Sequence, residues 1–333
     1  MKAQVLHGVY DIRYEDIDKP QIKDGWVLVN VKAAGVCGSD IPRIYKTGAH
    51  VHPLVPGHEF SGEVIYTFDK ESEWNGKRVG IFPLIPCGEC PCCKKKMYEM
   101  CSDYNYLGSR CNGGFAEYVA VPEWNLIELS ENVSYKQAAM MEPMAVAVHA
   151  MRRFNIPNDA SVCVIGLGTI GLLLTMFLKA GGMQNVYVVG NKATQKRFAE
   201  SLGIDEQHYN ADGISADYVY ECVGKNDTLN MAIELTAPAG HVVLVGNPYS
   251  DMSISKAVYW KILKRQIKLS GTWNSSYTGE LDDDWHYVLN LLENNQINPE
   301  QFITHEYQLD EIQEGMKIMR DKSEEYVKVM CVS

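Results

Sequence analysis

Five of the ten cysteines lie between Cys87 and Cys101, and Cys87, Cys90, Cys93 and Cys101 follow one another at gaps of 3, 3 and 8 residues. Soft thiolates this closely spaced suit one tetrahedral Zn²⁺ in a closed, structural site. Cys92 falls inside the run and is expected to stand aside, with a rearranged site that uses it as the alternative. A redox Cys-x-x-Cys pair needs a thioredoxin-like context that is missing here, and an iron–sulfur cluster is poorly suited to a β-rich setting. A second set is dispersed: Cys37-Gly38-Ser39-Asp40, then His58-Glu59, then Glu142-Pro143 far downstream. Cys, His and carboxylate ligands with a position left for water or substrate form the catalytic zinc pattern. Singly, each residue also reads blandly: Cys37 as core, His58 as a satisfied polar group, Glu142 as a helix-start acid. Spacing alone leaves both readings open.

A third motif is local. Val162-Cys163-Val164-Ile165 runs into Gly166-Leu167-Gly168-Thr169-Ile170-Gly171 and an apolar helical pattern. In G-x-G-x-x-G the first glycine permits a tight turn, the second admits a pyrophosphate, and the third lets helix and strand pack closely. The strand–turn–helix context points to dinucleotide binding rather than a purely structural turn. NAD sites usually end the following strand with a carboxylate for the ribose 2′-hydroxyl. Here the strand ends in Gly190-Asn191-Lys192, with Lys196 and Arg197 close behind and no carboxylate before Glu200. Room at Gly190, a donor at Asn191 and charge at Lys192 and Arg197 favour NADP(H); NAD(H) is the alternative. Val223 and Gly246, after the next two strands, are further candidates to line the coenzyme.

The elements that must position these groups change character along the chain. Up to about Tyr118 the pattern is short strands with Gly- and Pro-rich turns, for example residues 26–31 and 76–81. After about Pro143, apolar strands at 161–165, 185–189, 217–221 and 240–246 alternate with helical patterns. That alternation predicts a doubly wound parallel sheet. The tail from Trp273 carries two helical patterns and a strand at 326–330, and is expected to return to the first domain. The expected class is α/β, with a β-rich domain of residues 1–146, completed by 273–333, interrupted by a nucleotide-binding domain of residues 147–272. Net charge is −11 without a basic run, which argues against a nucleic-acid partner. The N-terminus becomes charged too early for a signal peptide, and the apolar stretch 162–178 is broken by glycines, so a membrane span is not expected. The reading is a cytoplasmic protein with reduced cysteines.

Together the fragments GVCGSD, GHEFSG, the four-cysteine knuckle, GGFAEY, EPMAVAVHA and GLGTIG, in this order, resemble the zinc-containing medium-chain alcohol/polyol dehydrogenases over essentially the whole chain. The resemblance implies a GroES-like β-rich catalytic domain, a Rossmann domain, one catalytic and one structural Zn²⁺, and hydride exchange with NADP(H) or NAD(H). Glu-Pro at 142–143 is similar to the polyol branch, where ordinary alcohol dehydrogenases place a cysteine. Residues 41–50 and 106–110 are similar to the enzymes of galactitol 1-phosphate, and residues 149–154 with Gly190 resemble NADPH-using reductases of ribulose 5-phosphate.

The implied ligands are Cys37, His58 and a carboxylate, with Glu59 and Glu142 competing for that role. Ser39 is implied to relay the substrate proton; Pro42 departs from relatives that continue the relay with a histidine. Asp40 is expected to accept from His58. A second hydroxyl of a polyol is expected to reach zinc or Glu142. For a phosphorylated substrate, Arg43, Lys46 and Arg110 are the candidate partners, or else solvated surface charges; Trp273 either lines the pocket or packs the hinge. Rival readings are an enzyme of an unphosphorylated polyol, a secondary alcohol or a threonine-like amino alcohol, and, more remotely, a non-enzymatic zinc protein. Residues 266–271 are the candidate edge strand for a homodimer or homotetramer.

Overall fold

A computed structural model describes all residues, 1–333. The chain separates into two compact units, Met1–Glu142 with Ser275–Ser333, and Pro143–Asn274.

The first unit is built on the strand Trp26–Val36, an alternation of apolar residues long enough to serve three partners. Its first half pairs with Tyr118–Pro122, most of its length with Glu59–Thr67, and its end with Lys328–Val332. The seven-stranded sheet runs Ile303–Tyr307, Lys328–Val332, Trp26–Val36, Glu59–Thr67, Arg78–Ile81, Leu126–Glu128, with Tyr118–Pro122 off this path. Val27, Val29, Phe60, Val64, Val79, Phe115 and Met316 fill one contiguous core. Each large side chain buried there contributes roughly 1.5–3 kcal/mol by leaving water. The C-terminal strand is therefore an integral part of this sheet: Val329 faces Val36, and Glu59 faces Gly35. One end of the sheet collects Cys37, Glu59 and Lys328 from three distant stretches of sequence.

The second unit is a five-stranded, all-parallel sheet in the order Val186–Val189, Val162–Ile165, Ala216–Glu221, Thr236–Leu244, Lys268–Gly271. Helices Thr169–Ala180 and Ala193–Ser201 pack together beside the first two strands, and Asn226–Leu235 and Lys256–Arg265 beside the others. Strand order reverses around Val162–Ile165, the topological switch point of a doubly wound sheet, where ligands bind at the carboxyl ends of strands. The apolar stretch 162–178 thus divides into a four-residue strand, a glycine turn and the start of a helix. No helix is long and apolar enough to cross a membrane.

Candidate active site and metal centres

Cys37 lies just past the long strand, and its Sγ accepts from the Ser39 hydroxyl at 3.3 Å. Glu59 begins the neighbouring strand and His58 immediately precedes it, and both are buried. One ligand atom from each of Cys37, His58 and Glu59 falls within 4.8 Å of the others. His58 Nδ1 is buried with no hydrogen-bond partner. Burial opposes protonation of this imidazole, but the facing charges of Asp40 and Cys37 prevail and push its pKa up to about 10. The donor set of thiolate, imidazole and carboxylate fits Zn²⁺.

Asp40 Oδ1 stands 3.5 Å from His58 Nδ1, an ion-pair contact without a hydrogen bond. Instead Oδ2 accepts from the Cys37 amide at 3.0 Å and Oδ1 from Arg43. Asp40 accordingly shapes the turn that carries Cys37, and Arg43 is turned inward onto this carboxylate instead of being free for an anion.

The two candidate carboxylates have different company. Glu59 Oε2 accepts from Lys328 Nζ at 2.5 Å, and Lys328 also donates to the Val36 carbonyl at 3.2 Å. Burial disfavours the Lys328 charge, yet Glu59 and Cys37 together hold its pKa above the ordinary lysine value. Gly35 allows this arrangement, because a Cβ there would lie 2.2 Å from Glu59 Oε2. Glu142, in the first turn of helix Met141–Met151, stands outside the tight triad. Its Oε1 accepts from the Tyr106 hydroxyl at 3.0 Å. Burial, reinforced by Glu59 and opposed by His58, raises its pKa to about 7.

The cysteine knuckle is compact. The Sγ–Sγ distances are 3.4 Å for Cys87–Cys101, 3.5 Å for Cys90–Cys93, and 3.9 Å for both Cys87–Cys93 and Cys90–Cys101. Four sulfurs about 2.3 Å from one Zn²⁺ sit about 3.8 Å apart in a tetrahedron, so the cradle has the size of the ion. Amides of Cys93 and Ser102 pull the Cys90 thiol down to about 5. Cys92 contributes its carbonyl to the turn, accepting from Lys95 and Met97 amides at 2.9 and 3.0 Å.

In the parallel-sheet unit, Gly166 has φ +91°, and a Cβ there would meet Val223 at 2.2 Å. A Cβ on Gly171 would lie 1.9 Å from the Gly166 carbonyl, which forces the close helix–strand approach. At Gly168 an added Cβ meets nothing within 4 Å, so no protein contact requires glycine there and the backbone lies open to a ligand. Thr169 and Ile170 open the helix, whose N-cap Gly168 offers no side-chain bond to the first amides. Val223 and Gly224 amides are held by the buried Glu221 carboxylate at 2.8 and 2.9 Å, beside Gly246.

The space expected at Gly190 is partly filled. Asn210 brackets its backbone, accepting from the Gly190 amide at 2.9 Å and donating to its carbonyl at 2.8 Å. A Cβ would lie 2.7 Å from the Tyr209 hydroxyl. Asn191 donates its amide to Gln195 at 3.0 Å, and Lys192 is the N-cap of the next helix. Lys196 faces Glu206 at 3.7 Å and Glu200 at 3.9 Å, and Arg197 lies 5.4 Å from the Phe198 ring. Of the other candidates, Arg110 stacks on Tyr104 at 4.4 Å, Lys46 is exposed, and Trp273 is 54% exposed in the second unit.

Sequence reasoning missed Lys328, Tyr106 and Glu221. A lone lysine inside the apolar run Val327-Lys328-Val329-Met330 was a usable signal, since such a residue is rarely buried without a partner. Tyr106 falls within the segment 106–110 singled out above, but nothing local marked its hydroxyl as a partner of Glu142.

Residues 23–131 match the alcohol dehydrogenase GroES-like domain, and residues 169–294 the zinc-binding dehydrogenase family. Galactitol 1-phosphate 5-dehydrogenase of Escherichia coli K12 is 31% identical over 320 residues, 92% of each chain. The crystal structure of galactitol-1-phosphate dehydrogenase from Escherichia coli superposes with TM-score 0.92 at 29% identity, covering 100% of both chains. A zinc-binding dehydrogenase from Sinorhizobium meliloti bound to NADP has TM-score 0.88 at 26% identity, covering 100% of this chain and 99% of that one. An alcohol dehydrogenase from Escherichia coli complexed with NADH has TM-score 0.90 at 26% identity, with the same coverage. By these similarities and by its own folds, this chain belongs to the zinc-dependent, nicotinamide-coupled alcohol/polyol dehydrogenases and is an oxidoreductase of that family.

Proposed function

We propose that the chain exchanges hydride between NADP(H) and a secondary hydroxyl or ketone of a polyol phosphate resembling galactitol 1-phosphate. The observation that carries this reading is the Cys37–His58–Glu59 triad with a second buried carboxylate, Glu142, facing it. In this reading Cys37, His58 and Glu59 hold the catalytic Zn²⁺, and Cys87, Cys90, Cys93 and Cys101 the structural one. Bound to the triad, Zn²⁺ supplies Lewis-acid activation of a hydroxyl or carbonyl. Ser39 Oγ, now on Cys37 Sγ, would relay the substrate proton, taking it up while passing its own hydroxyl proton on towards solvent. Glu142 accepts a hydrogen bond from a second substrate hydroxyl. Gly166, Gly168, Thr169, Ile170 and Gly171 cradle the pyrophosphate, Val223 and Gly246 line the nicotinamide end, and Asn191, Lys192 and Arg197 meet the 2′-phosphate.

Arg110 is the anion partner that best suits a phosphorylated substrate, because its guanidinium rests on Tyr104 instead of a carboxylate; Lys46 is its exposed companion. The inward turn of Arg43 onto Asp40 favours a second reading, an enzyme of the unphosphorylated polyol. Residues 1–146 with 273–333 act as the catalytic domain and 147–272 as the coenzyme domain, in a cytoplasmic homodimer or homotetramer. The strand Lys268–Gly271 supports assembly: it ends the parallel sheet with an unpaired edge and a 37% exposed Leu269.

The test is an initial-rate panel with zinc-replete protein, NADP⁺ or NAD⁺, and galactitol 1-phosphate, ribitol 5-phosphate, sorbitol and butan-2-ol. Turnover concentrated on phosphorylated polyols with NADP⁺ is expected. Equal or faster turnover of sorbitol overturns the phosphate assignment, and faster turnover with NAD⁺ overturns the coenzyme assignment.

A further inference from the structure

Tyr106 lies on a two-residue strand paired with Leu84–Ile85, at the head of a turn in which its carbonyl accepts from the amides of Ser109, Arg110 and Cys111 at 3.2, 2.9 and 3.2 Å. Its ring is wedged edge-on between His58, 5.7 Å away, and Tyr104, 6.0 Å away. Backbone and ring are thus held independently of Glu142. The hydroxyl donates to Glu142 Oε1 at 3.0 Å, and no protein donor engages Oε2. A carboxylate with two equivalent oxygens is free to rotate or to chelate a metal with both. Here one oxygen is spent on a rigid phenol and the other is left over.

We propose that Tyr106 is a specificity-determining positioning residue: its hydroxyl immobilises Glu142 through Oε1 and so presents Oε2 to the second hydroxyl of a vicinal diol. The idea rests on the polyol reading above and deepens it. A mono-alcohol has no group for Oε2, so it gains nothing from the arrangement. A diol gains a hydrogen bond to a preorganised charged acceptor, roughly ten- to a hundredfold in selectivity.

The experiment compares Tyr106→Phe, Glu142→Gln and the double variant with the wild type, using butane-2,3-diol and butan-2-ol as probes. The readouts are the diol-to-mono-alcohol ratio of kcat/KM and the diol concentration that perturbs the visible bands of the cobalt-loaded protein. Y106F is expected to lower the ratio about tenfold and to raise that concentration similarly. In the E142Q background the Tyr106 change is expected to add little, because both act through one hydrogen bond. A ratio that falls in E142Q but holds in Y106F overturns the role of Tyr106 and leaves the Glu142 reading standing. A ratio that holds in both variants overturns the Glu142 reading itself. Equal, additive losses on both alcohols identify general packing damage and overturn the proposal.

Discussion

Replacing Lys328 by methionine isolates the electrostatics of the metal pocket. Lys328 is 2% exposed and Glu59 1%, so the pair is out of water, with Nζ 2.5 Å from Oε2. Methionine matches the volume of the stem but leaves Glu59 as an uncompensated buried charge and the Val36 carbonyl without its donor. Breaking one side of a buried pair costs about 3–5 kcal/mol. The unit that carries it has about 200 residues, and an unfolding entropy near 2.1 cal/mol/K per residue converts that cost to a fall in Tm of roughly 7–12 °C. With Zn²⁺ in the triad, the ion takes over compensation of Glu59, and the fall is expected to shrink by at least half. The assay is scanning calorimetry of wild type and K328M, each zinc-replete and chelator-treated. An equal fall in both states, or none in the chelator-treated protein, would refute the reasoning that Lys328 and the metal share one carboxylate.

Three further outcomes are expected. Cys90→Ser removes one corner of the sulfur tetrahedron, so zinc measured by plasma mass spectrometry should drop from two ions per chain to one. Gly190→Asp should fail to create an NAD⁺ enzyme, because its Cβ meets the Tyr209 hydroxyl at 2.7 Å; Tyr209→Phe added to it should restore coenzyme binding with a raised NAD⁺/NADP⁺ ratio of kcat/KM. His286 bonds through Nδ1 to Asp283, the N-cap of helix Asp284–Glu293, and this bond raises its pKa against the effect of burial. Because the folded value is raised, its stabilisation is complete below the ordinary histidine pKa and disappears as pH climbs through the raised one. The Tm gap between wild type and His286→Gln should therefore be widest near pH 6 and close on the alkaline side; a gap that widens with pH contradicts the assignment.

The glycine turn and the cysteine knuckle were legible in the sequence because their residues act through neighbours a few positions away. Turn geometry and the reach of four thiolates are local, so spacing carries them. Strand–helix alternation after Pro143 is local in the same sense, and the parallel sheet follows it strand by strand. Tertiary structure decided what no spacing encodes. Sheet register sets Glu59 opposite Gly35 and Val329 opposite Val36, and so delivers Lys328 to a carboxylate 269 residues away. The bridge between Val188 and Tyr209 brings a phenol over Gly190, and the turn at Tyr106 meets Glu142 across 36 residues. Side-chain identity by itself named the candidate groups for a metal and a dinucleotide. Which carboxylate is clamped by a lysine, which by a tyrosine, and which glycine is truly open depend on non-local pairing, where one residue of slip would reverse every side chain.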